Sequence, residues 1–320
     1  MRGRAYGLDI EADFELLGIG GPPAYDGSRH VSVETGLAGD VETATRGHAV
    51  ERLIEIPGAE GRPIVTVDAM DGGAGFAIGA EGFGLAWVRG DGGRCLCAPA
   101  GGPAWLWQRF LAGQVLPFAA VLAGIEAFHA SAVVLDGTCI AIAAGSGVGK
   151  TSLALNLALR GLPLVSDDVL AVEATDGDGL VAHPAPGLAN VDARDSKLAE
   201  RIEESGVGRR LGETERDVRM EVRRHDRPVR PGTLFFVDRT ATGDRPVIEP
   251  LSPVEPRLLL AATFNLALRS PERLSRQLEV CGRLAESCRV FKVSSPPGVD
   301  ARMLAAEIHR TALTLEPQRS

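Results

Sequence analysis

The stretch that decides the fold is Ala144-Gly-Ser-Gly-Val-Gly-Lys-Thr-Ser152. The apolar run 139–143 before it predicts a buried strand, and the run 153–161 after it predicts a helix that ends at Gly161. A strand, a glycine-rich turn and a helix N-terminus in this order form a phosphate cradle, because glycines let successive backbone N–H groups converge on an anion that the helix dipole also favours. The stretch is therefore predicted to be a P-loop.

The chemistry of such loops gives its last residues specific tasks. Lys150 is expected on the β- and γ-phosphates of a nucleotide, and the Thr151 hydroxyl on Mg²⁺, so ATP and Mg²⁺ are the predicted cofactors. Ala144 stands where such loops usually begin with Gly, and its small side chain suits the same turn. The residues predicted to bind the nucleotide are Gly145, Ser146, Gly147, Val148, Gly149, Lys150, Thr151 and Ser152.

Composition limits the classes of partner. The chain has 320 residues, 45% of them hydrophobic, which is enough for two domains with cores of their own. Its net charge of −8 argues against nucleic-acid binding, which depends on clustered Lys and Arg. The longest apolar stretch, 116–135, contains Glu126 and His129 and is expected in a core rather than in a membrane. Five cysteines without Cys-x-x-Cys pairs suit a reducing cytoplasm, which is the predicted location.

The first hundred residues predict a β-rich domain. Short apolar runs alternate there with Gly, Pro and Asp, and no long helical pattern appears. The predicted strands are 4–11, 30–34, 53–56, 64–67, 75–78, 84–88 and 94–97. The small residues of 98–103 predict a linker, so the expected domains are 1–100 and 101–320. An amphipathic helix is expected around Trp105 and Trp107, packed on the second domain.

A hairpin fixes the position of one histidine. Asp136-Gly137 lies between two apolar runs, and Asp-Gly favours the tight turn that joins two antiparallel strands. With a two-residue turn Leu135 faces Thr138, and counting back puts His129 opposite Ala144, at the mouth of the P-loop. The strand entering the loop thus has an antiparallel neighbour, which predicts a mixed sheet. His129 is expected within reach of Asp167; the alternative is a core histidine.

Two adjacent carboxylates end the next apolar run, 162–166. Asp167 and Asp168 are costly there unless they meet a cation or share a proton. Strand alternation sends them to opposite faces, so that one can serve the metal and phosphate site while the other has a different task. A simple turn is the alternative.

The rest of the chain alternates between helices and strands, which is typical of an α/β domain. The predicted helices are 196–204, 256–269, 271–288 and 300–315, and the predicted strands are 232–238 and 289–294. Residues 209–230 carry eight arginines, which form either a solvated surface or a set that reaches the γ-phosphate or an acidic substrate.

At His129, the P-loop and the aspartate pair together, the sequence resembles the catalytic domain of HPr kinase/phosphorylase, whose core is similar to that of phosphoenolpyruvate carboxykinase. The order of motifs is the same: Phe128-His-Ala-Ser-Ala-Val133, then Gly145-Ser-Gly-Val-Gly-Lys-Thr151, then Gly161-Leu-Pro-Leu-Val-Ser-Asp-Asp168. The likeness is specific over 125–172 and vague as far as 315. It implies that 101–320 is an HPr-kinase-like P-loop domain with a mixed sheet and a phosphoenolpyruvate-carboxykinase-like core.

The resemblance also implies roles. Asp167 would act first as base and later as acid, with His129 hydrogen-bonded nearby and Lys150 on phosphate, while Thr151 and Asp168 would lie near Mg²⁺. Ser152 stands where the HPr enzymes have Glu. In this and in its N-terminal half the chain looks more like HPr-kinase-related proteins outside sugar regulation, some of which phosphorylate a serine of a lasso-class peptide.

Three functions follow from these patterns. The first is an ATP- and Mg²⁺-dependent kinase acting on a Ser or Thr hydroxyl of a protein or peptide. A homo-oligomer is compatible with this function. The second is a small-molecule kinase or carboxykinase-like enzyme on the same core. The third is a nucleotide-dependent switch without transfer activity. No Asn-Lys-x-Asp signature of GTPases and no Leu-Ser-Gly-Gly-Gln signature of transporter ATPases occurs.

Overall fold

A computed structural model of the chain describes residues 1–20, 29–58, 63–177, 179–264 and 268–314. By its internal contacts the described chain divides into two compact units, Met1–Ala127 with Asn265–Leu274, and Phe128–Phe264 with Ser275–Ser320. None of the described helices has the length and apolarity that a bilayer crossing requires.

The first unit is built on a sheet of eight strands in the order β1-β2-β3-β8-β7-β6-β5-β4. Its strands are β1 (Arg2–Ala5), β2 (Leu8–Ala12), β3 (His30–Thr35), β4 (Val50–Pro57), β5 (Pro63–Met70), β6 (Gly75–Ala80), β7 (Gly84–Arg89) and β8 (Arg94–Pro99). The predicted strand 4–11 is in fact a hairpin, because Tyr6 and Gly7 both adopt positive φ, 56° and 77°, and reverse the chain.

The first unit also contains the helices α1 (Ala38–Thr45), α2 (Ala104–Phe110) and α3 (Leu116–Leu122), with a π-helical turn, Leu111–Val115, between the last two. Helix α2 is the helix expected around Trp105 and Trp107, whereas the sequence pattern did not predict α1 and α3. The tryptophan helix α2 belongs to this unit and not to the second, as its contacts explain. Gln108 accepts a hydrogen bond from Leu17 N at 2.9 Å and donates one to Glu15 O at 2.8 Å, while Trp107 packs edge-on against Phe14. The division of the chain consequently falls after Ala127 rather than near residue 100.

The second unit contains a mixed sheet of six strands in the order β12-β10-β11-β18-β20-β19. A short strand, β9 (Glu126–Phe128), leads into it. The strands that follow β9 are β10 (Ala130–Leu135), β11 (Thr138–Ala144), β12 (Leu164–Ser166), β13 (Leu170–Ala174), β14 (Leu180–His183), β15 (Leu188–Asp192), β16 (Gly208–Glu213), β17 (Asp217–Val222), β18 (Arg230–Asp238), β19 (Val247–Pro250) and β20 (Arg289–Ser294). Two smaller sheets of three strands each, β14-β13-β9 and β15-β17-β16, complete the described strands. Strands β11, β18 and β20 run parallel, while β10 and β19 pair antiparallel to their neighbours. The α/β class and the mixed sheet are therefore as predicted.

Two cores cover the two faces of this sheet. Its helices are α4 (Lys150–Ala158), α5 (Ser196–Glu204), α6 (Pro256–Ala261), α7 (Pro271–Ser287) and α8 (Ala301–Leu313). On one face Ile142 and Phe235 pack in a core with residues of α4, α5 and α8. On the other, Ala141 and Leu234 pack with residues of α6 and α7. Burial on both faces explains why the central strands are apolar along their whole length.

Two predicted helices differ at their ends. The helix predicted over 256–269 ends at Ala261, because Thr263 turns away to form a β-bridge with Phe128; residues 265–267 lie outside the described chain. The helix predicted over 300–315 begins after Asp300, whose side chain caps it by accepting from Arg302 N and Met303 N, and residue 315 is also outside the described chain.

Candidate active site

The glycine-rich turn connects β11 to the first turn of α4. Gly147 and Gly149 have φ of 77° and 102°, a left-handed conformation that glycine adopts without strain. Gly149 is the N-cap residue of α4, so the helix begins at Lys150. Gly145, Ser146 and Gly147 are exposed, while Val148, Thr151 and Ser152 are half-buried. The backbone thus presents a helix N-terminus behind an open turn, which is the geometry that binds anions.

Lys150 lies under this turn and is only 7% exposed. Its Nζ donates to Nε2 of His129 at 2.9 Å and to the carbonyl oxygen of Ala144 at 3.1 Å. Burial lowers the pKa of Lys150, and the charges of Asp168 and Asp167 act in the opposite direction. The ammonium group is therefore held by the imidazole and the Ala144 carbonyl, near enough to the two carboxylates for their charges to act on it.

His129 occupies the position that the hairpin register predicts. Ala130 faces Ala143 and Leu135 faces Thr138 across β10 and β11, which brings His129 opposite Ala144. Its Nδ1 lies 3.1 Å from the backbone oxygen of Asp168 and 3.3 Å from Oδ1 of the same residue. Among the described residues the imidazole makes no contact with the Asp167 carboxylate, so the expected pairing falls on Asp168 instead.

Asp167 is buried, with its carboxylate aimed at α4. The antiparallel pairing of Ala132 with Ser166 brings it beside Ser131. Oδ1 accepts hydrogen bonds from Ser131 Oγ and Thr151 Oγ1, both at 2.8 Å, and Oδ2 accepts one from Asn190 N at 3.4 Å. Burial raises the pKa of Asp167 to about 6, the charge of Asp168 adds to that, and the hydrogen bonds partly oppose it. This carboxylate consequently changes charge near neutral pH.

Asp168 points in a different direction. Its φ of 70° is uncommon for a residue other than glycine, and the turn it makes leaves its side chain 49% exposed. The backbone N–H of Asp168 donates to Ser131 Oγ at 3.3 Å. The two carboxylates are therefore separated, one buried against Thr151 and one exposed beside His129. Both residues lie in a bend after β12 ends at Ser166, so a turn, the alternative expectation, separates them rather than strand alternation.

Comparison with known proteins points to one family. No protein-family model matches the chain. The HPr kinase/phosphorylase of Shouchella clausii is 40% identical over 70 residues, which is 22% of this chain and 23% of that protein. The HPr kinase/phosphorylase of Exiguobacterium sibiricum is 42% identical over 69 residues, 22% of each chain. Over this length the chain is HPr-kinase-like.

The HPr-kinase-like match is short, since the chain spans less than a quarter of the length of these curated relatives. Among solved structures, the HPr(Ser) kinase/phosphatase from Coxiella burnetii aligns over 60% of this chain and 99% of its own, with 14% identity and a TM-score of 0.33. The phosphoenolpyruvate-carboxykinase-like core stays a prediction.

Oxygen donors around the HPr-kinase-like loop suit Mg²⁺. They are the Thr151 hydroxyl and the carboxylates of Asp167 and Asp168. Mg²⁺ is usually held by one or two carboxylates together with substrate phosphates and waters, so no larger protein cage is needed. Within the described ranges no group of three or more His, Cys, Asp or Glu side chains is arranged to hold a metal ion. The site thus fits a metal that arrives with a nucleotide.

Two residues of the site escaped the sequence prediction. Ser131 bridges the two aspartates, and its position two residues after His129 on one strand was the available signal. Arg239 lies at the end of β18, beside the P-loop: a Cβ placed on Gly149 would be 3.8 Å from its Nη1. Its Nη2 donates to the carbonyl oxygens of Pro297 and Val299, and its buried Nε has no hydrogen-bond partner among the described residues.

The arginines of segment 209–230 have different surroundings. Its first part forms the hairpin β16–β17, where Arg209 pairs with Glu221, and Arg210 pairs with Glu203 and Glu213. Arg219 donates to Asn190 Oδ1 at 2.8 Å, so it supports the residue whose N–H contacts Asp167. Arg209 and Arg210 thus lie in a solvated, paired surface, the first of the two expectations, whereas Arg219 is buried.

Proposed function

We propose that the protein is an ATP- and Mg²⁺-dependent kinase that transfers the γ-phosphate to a Ser or Thr hydroxyl of a protein or peptide. The observation that carries the proposal is the convergence of Lys150, His129 and the two aspartates on one glycine-rich turn. Phosphoryl transfer needs positioning, charge stabilisation and a group that takes the hydroxyl proton, and this cluster contains all three kinds of group.

The nucleotide would lie along the turn 145–149, with its γ-phosphate at Lys150. The backbone N–H groups and the dipole of α4 would hold the phosphates, and Arg239 would contact them beside Gly149. Thr151 and Asp168 would hold Mg²⁺, which shields phosphate charge when bound. Asp168 suits this task because half of its side chain is already exposed.

Asp167 would take the proton of the acceptor hydroxyl. A base works best when its pKa is near the working pH, and the pKa of about 6 at Asp167 meets that condition. Ser131 and Thr151 would hold the carboxylate in place. The contact between Asp167 and Thr151 equally favours a reversed assignment in which Asp167 faces the metal, and the Mg²⁺ dependence of Asp167→Asn and Asp168→Asn separates the two.

The proposal is tested by labelling. The purified protein is incubated with Mg²⁺, [γ-³²P]ATP and a lysate of its own organism, and labelled species are identified by mass spectrometry. We expect a phosphorylated Ser or Thr that is absent with the Lys150→Ala variant. ATP binding without any labelled acceptor would favour a nucleotide-dependent switch, and a labelled metabolite would favour a small-molecule kinase. The name of the relatives points to HPr as one acceptor to include.

A further inference from the structure

A pocket of about 900 Å³ opens beside the P-loop, on the face of the sheet opposite to α4. His129, Ala144 and Gly145 line one end of it, and α6 with the segment before it forms the outer wall. All of its lining residues belong to the second unit. Its volume lies in the range of sites that hold a small ligand or several residues of a peptide.

The strand register orders the floor of this pocket. Ala143 faces Phe236 across β11 and β18, and Phe236 faces Lys292 across β18 and β20. Neighbouring strands are about 4.8 Å apart. His129 lies at the start of β10, three strand spacings from β20, so roughly 14 Å separate it from Lys292. The pocket therefore has His129 at one end and the exposed Lys292 at the other.

Most of the charged side chains that line the pocket already have a partner nearby. Glu255 pairs with Arg257, and Asp238 accepts hydrogen bonds from Thr240. Lys292 is exposed and, in the described part of the chain, forms no salt bridge, although Glu249 faces it in the strand register. The remaining lining is mainly apolar, from Phe236, Leu251, Pro253 and Leu258.

Lysine is rare in this chain. It occurs three times, at Lys150 in the P-loop, Lys197 on α5 and Lys292 in the pocket. Two of the three thus lie at or next to the proposed active site. A lysine side chain is flexible, so its ammonium group can move to an anion that enters an open pocket. The planar guanidinium of an arginine instead suits a partner held in a fixed geometry.

The position of His129 indicates which substrate the pocket holds. Its Nε2 contacts Lys150, which carries the γ-phosphate in the proposed function, so this end of the pocket adjoins the transferred group. Arg239 lies on the other face of the sheet, since it bonds Val299 of the α4 and α8 core. The rest of the nucleotide is therefore assigned to the face of the sheet that carries Arg239.

We propose that this pocket binds the acceptor, and that the acceptor is a peptide segment with a negatively charged group about 14 Å from its reactive hydroxyl. The hydroxyl lies at the His129 end and the anion at Lys292. An extended chain advances about 3.3 Å per residue, so the acidic residue lies about four positions from the Ser or Thr. The inference rests on the proposed kinase function and names its substrate class.

The test uses a positional library of serine peptides, each with one Asp at a position from −5 to +5 in a neutral background. Phosphate transfer from ATP is measured with the full-length protein. We expect a preference of about 10-fold in kcat/KM for Asp about four residues from the serine on one side, which equals roughly 1.4 kcal/mol. Lys292→Gln should remove the preference, and Lys292→Glu should transfer it to peptides with Lys at that position. Lys197→Gln is the matched control and should leave it unchanged.

Other outcomes overturn the inference. A flat library, or a preference that survives in Lys292→Gln, would exclude Lys292 as the anion site. If the pocket instead holds the nucleoside of ATP, Lys292→Glu and Ala261→Phe should both bind ATP more weakly than the parent, and the peptide preference should be retained. If the parent protein binds no ATP, the proposed function itself fails, and calorimetry with ATP alone shows this before any peptide is added. Efficient transfer to a free hydroxy acid, with no transfer to peptides, would reassign the pocket to a small molecule.

Discussion

The ammonium nitrogen of Lys150 lies 2.9 Å from Nε2 of His129, and this contact determines the tautomer of the imidazole. An ammonium group can only donate hydrogen bonds, so Nε2 must accept and the ring proton must be on Nδ1. Nδ1 then donates to Asp168, whose backbone and carboxylate oxygens lie 3.1 and 3.3 Å away. A neutral His129 thus links the phosphate-binding lysine to the exposed aspartate.

Replacement of Lys150 should abolish nucleotide binding. Lys150→Ala removes the charge expected on the β- and γ-phosphates, and we expect no measurable binding of ATP with Mg²⁺ in calorimetry. The variant also leaves His129 Nε2 without its donor, so circular dichroism and a melting curve must show that the fold persists. Lys197→Ala, on α5, is the control. Parent-like ATP affinity in a folded Lys150→Ala protein would refute the P-loop assignment.

The two aspartates should respond differently to the same change. Asp167→Asn should keep ATP binding yet lose transfer by roughly 10² to 10⁴-fold, the usual contribution of a general base. Asp168→Asn should raise the Mg²⁺ concentration needed for half-maximal activity. Titrating Mg²⁺ for both variants decides the assignment, because the reversed result would place Asp167 on the metal through its contact with Thr151.

The buried carboxylate should also make stability depend on pH. Asp167 has a pKa of about 6 in the folded protein against a reference of 3.8, so between these values the folded state holds a proton that the unfolded state has released. Stability from this group therefore falls as pH rises from about 4 to 6 and is level above. The loss is at most about 3 kcal/mol.

Asp167→Asn cannot ionise and should lack this decline. Urea unfolding at several values between pH 4 and 7.5, with EDTA and no nucleotide, compares the slopes of the parent and the variant. The slopes matter rather than the absolute values, because Asn cannot accept all the hydrogen bonds that Asp167 receives. Parallel curves would show that Asp167 titrates normally. In activity assays the same group predicts a rate that increases through pH 6.

Arg239 provides a test of the nucleotide position. Arg239→Gln removes a cation beside Gly149, and we expect ATP affinity to fall about 10-fold, as for the loss of one charge-assisted hydrogen bond. The melting temperature should decrease somewhat, since Pro297 and Val299 lose their donor. Arg194→Gln, at a side chain 90% exposed, is the control. A lower melting temperature with unchanged ATP affinity would make Arg239 purely structural.

Local patterns predicted the elements around the site well. The Asp-Gly turn, with φ of 48° and 77°, set the register of β10 and β11, and with it the place of His129. The boundaries of α5 and β20 also match, because each is bounded by strong start or stop residues. These features are determined by residues that are neighbours in sequence, so a local sequence pattern is enough to predict them.

Long-range contacts were not predictable in the same way. Arg239 reaches the P-loop because β18 pairs in parallel with β11, a connection across some ninety residues that no local pattern specifies. Helix α2 joined the first unit through hydrogen bonds of Gln108 to segments far away in sequence. His129 reached Asp168 and not Asp167 because of the left-handed turn at Asp168, which strand alternation does not foresee.

The imidazole should act on the carboxylates and the lysine and not on the nucleotide directly. His129→Ala removes the link between Lys150 and Asp168, so we expect turnover to fall and the pH profile of the reaction to shift, with ATP affinity changed little. His129→Asn is the informative partner, since its amide can donate toward Asp168 but is too short to reach the position of Nε2, where Lys150 makes its contact. Initial rates between pH 5 and 9, measured alongside ATP affinity by calorimetry, distinguish the possibilities. If both variants reduce turnover without moving the pH profile, His129 only shapes the site; if both reduce ATP affinity as strongly as Lys150→Ala, its task is to position the lysine.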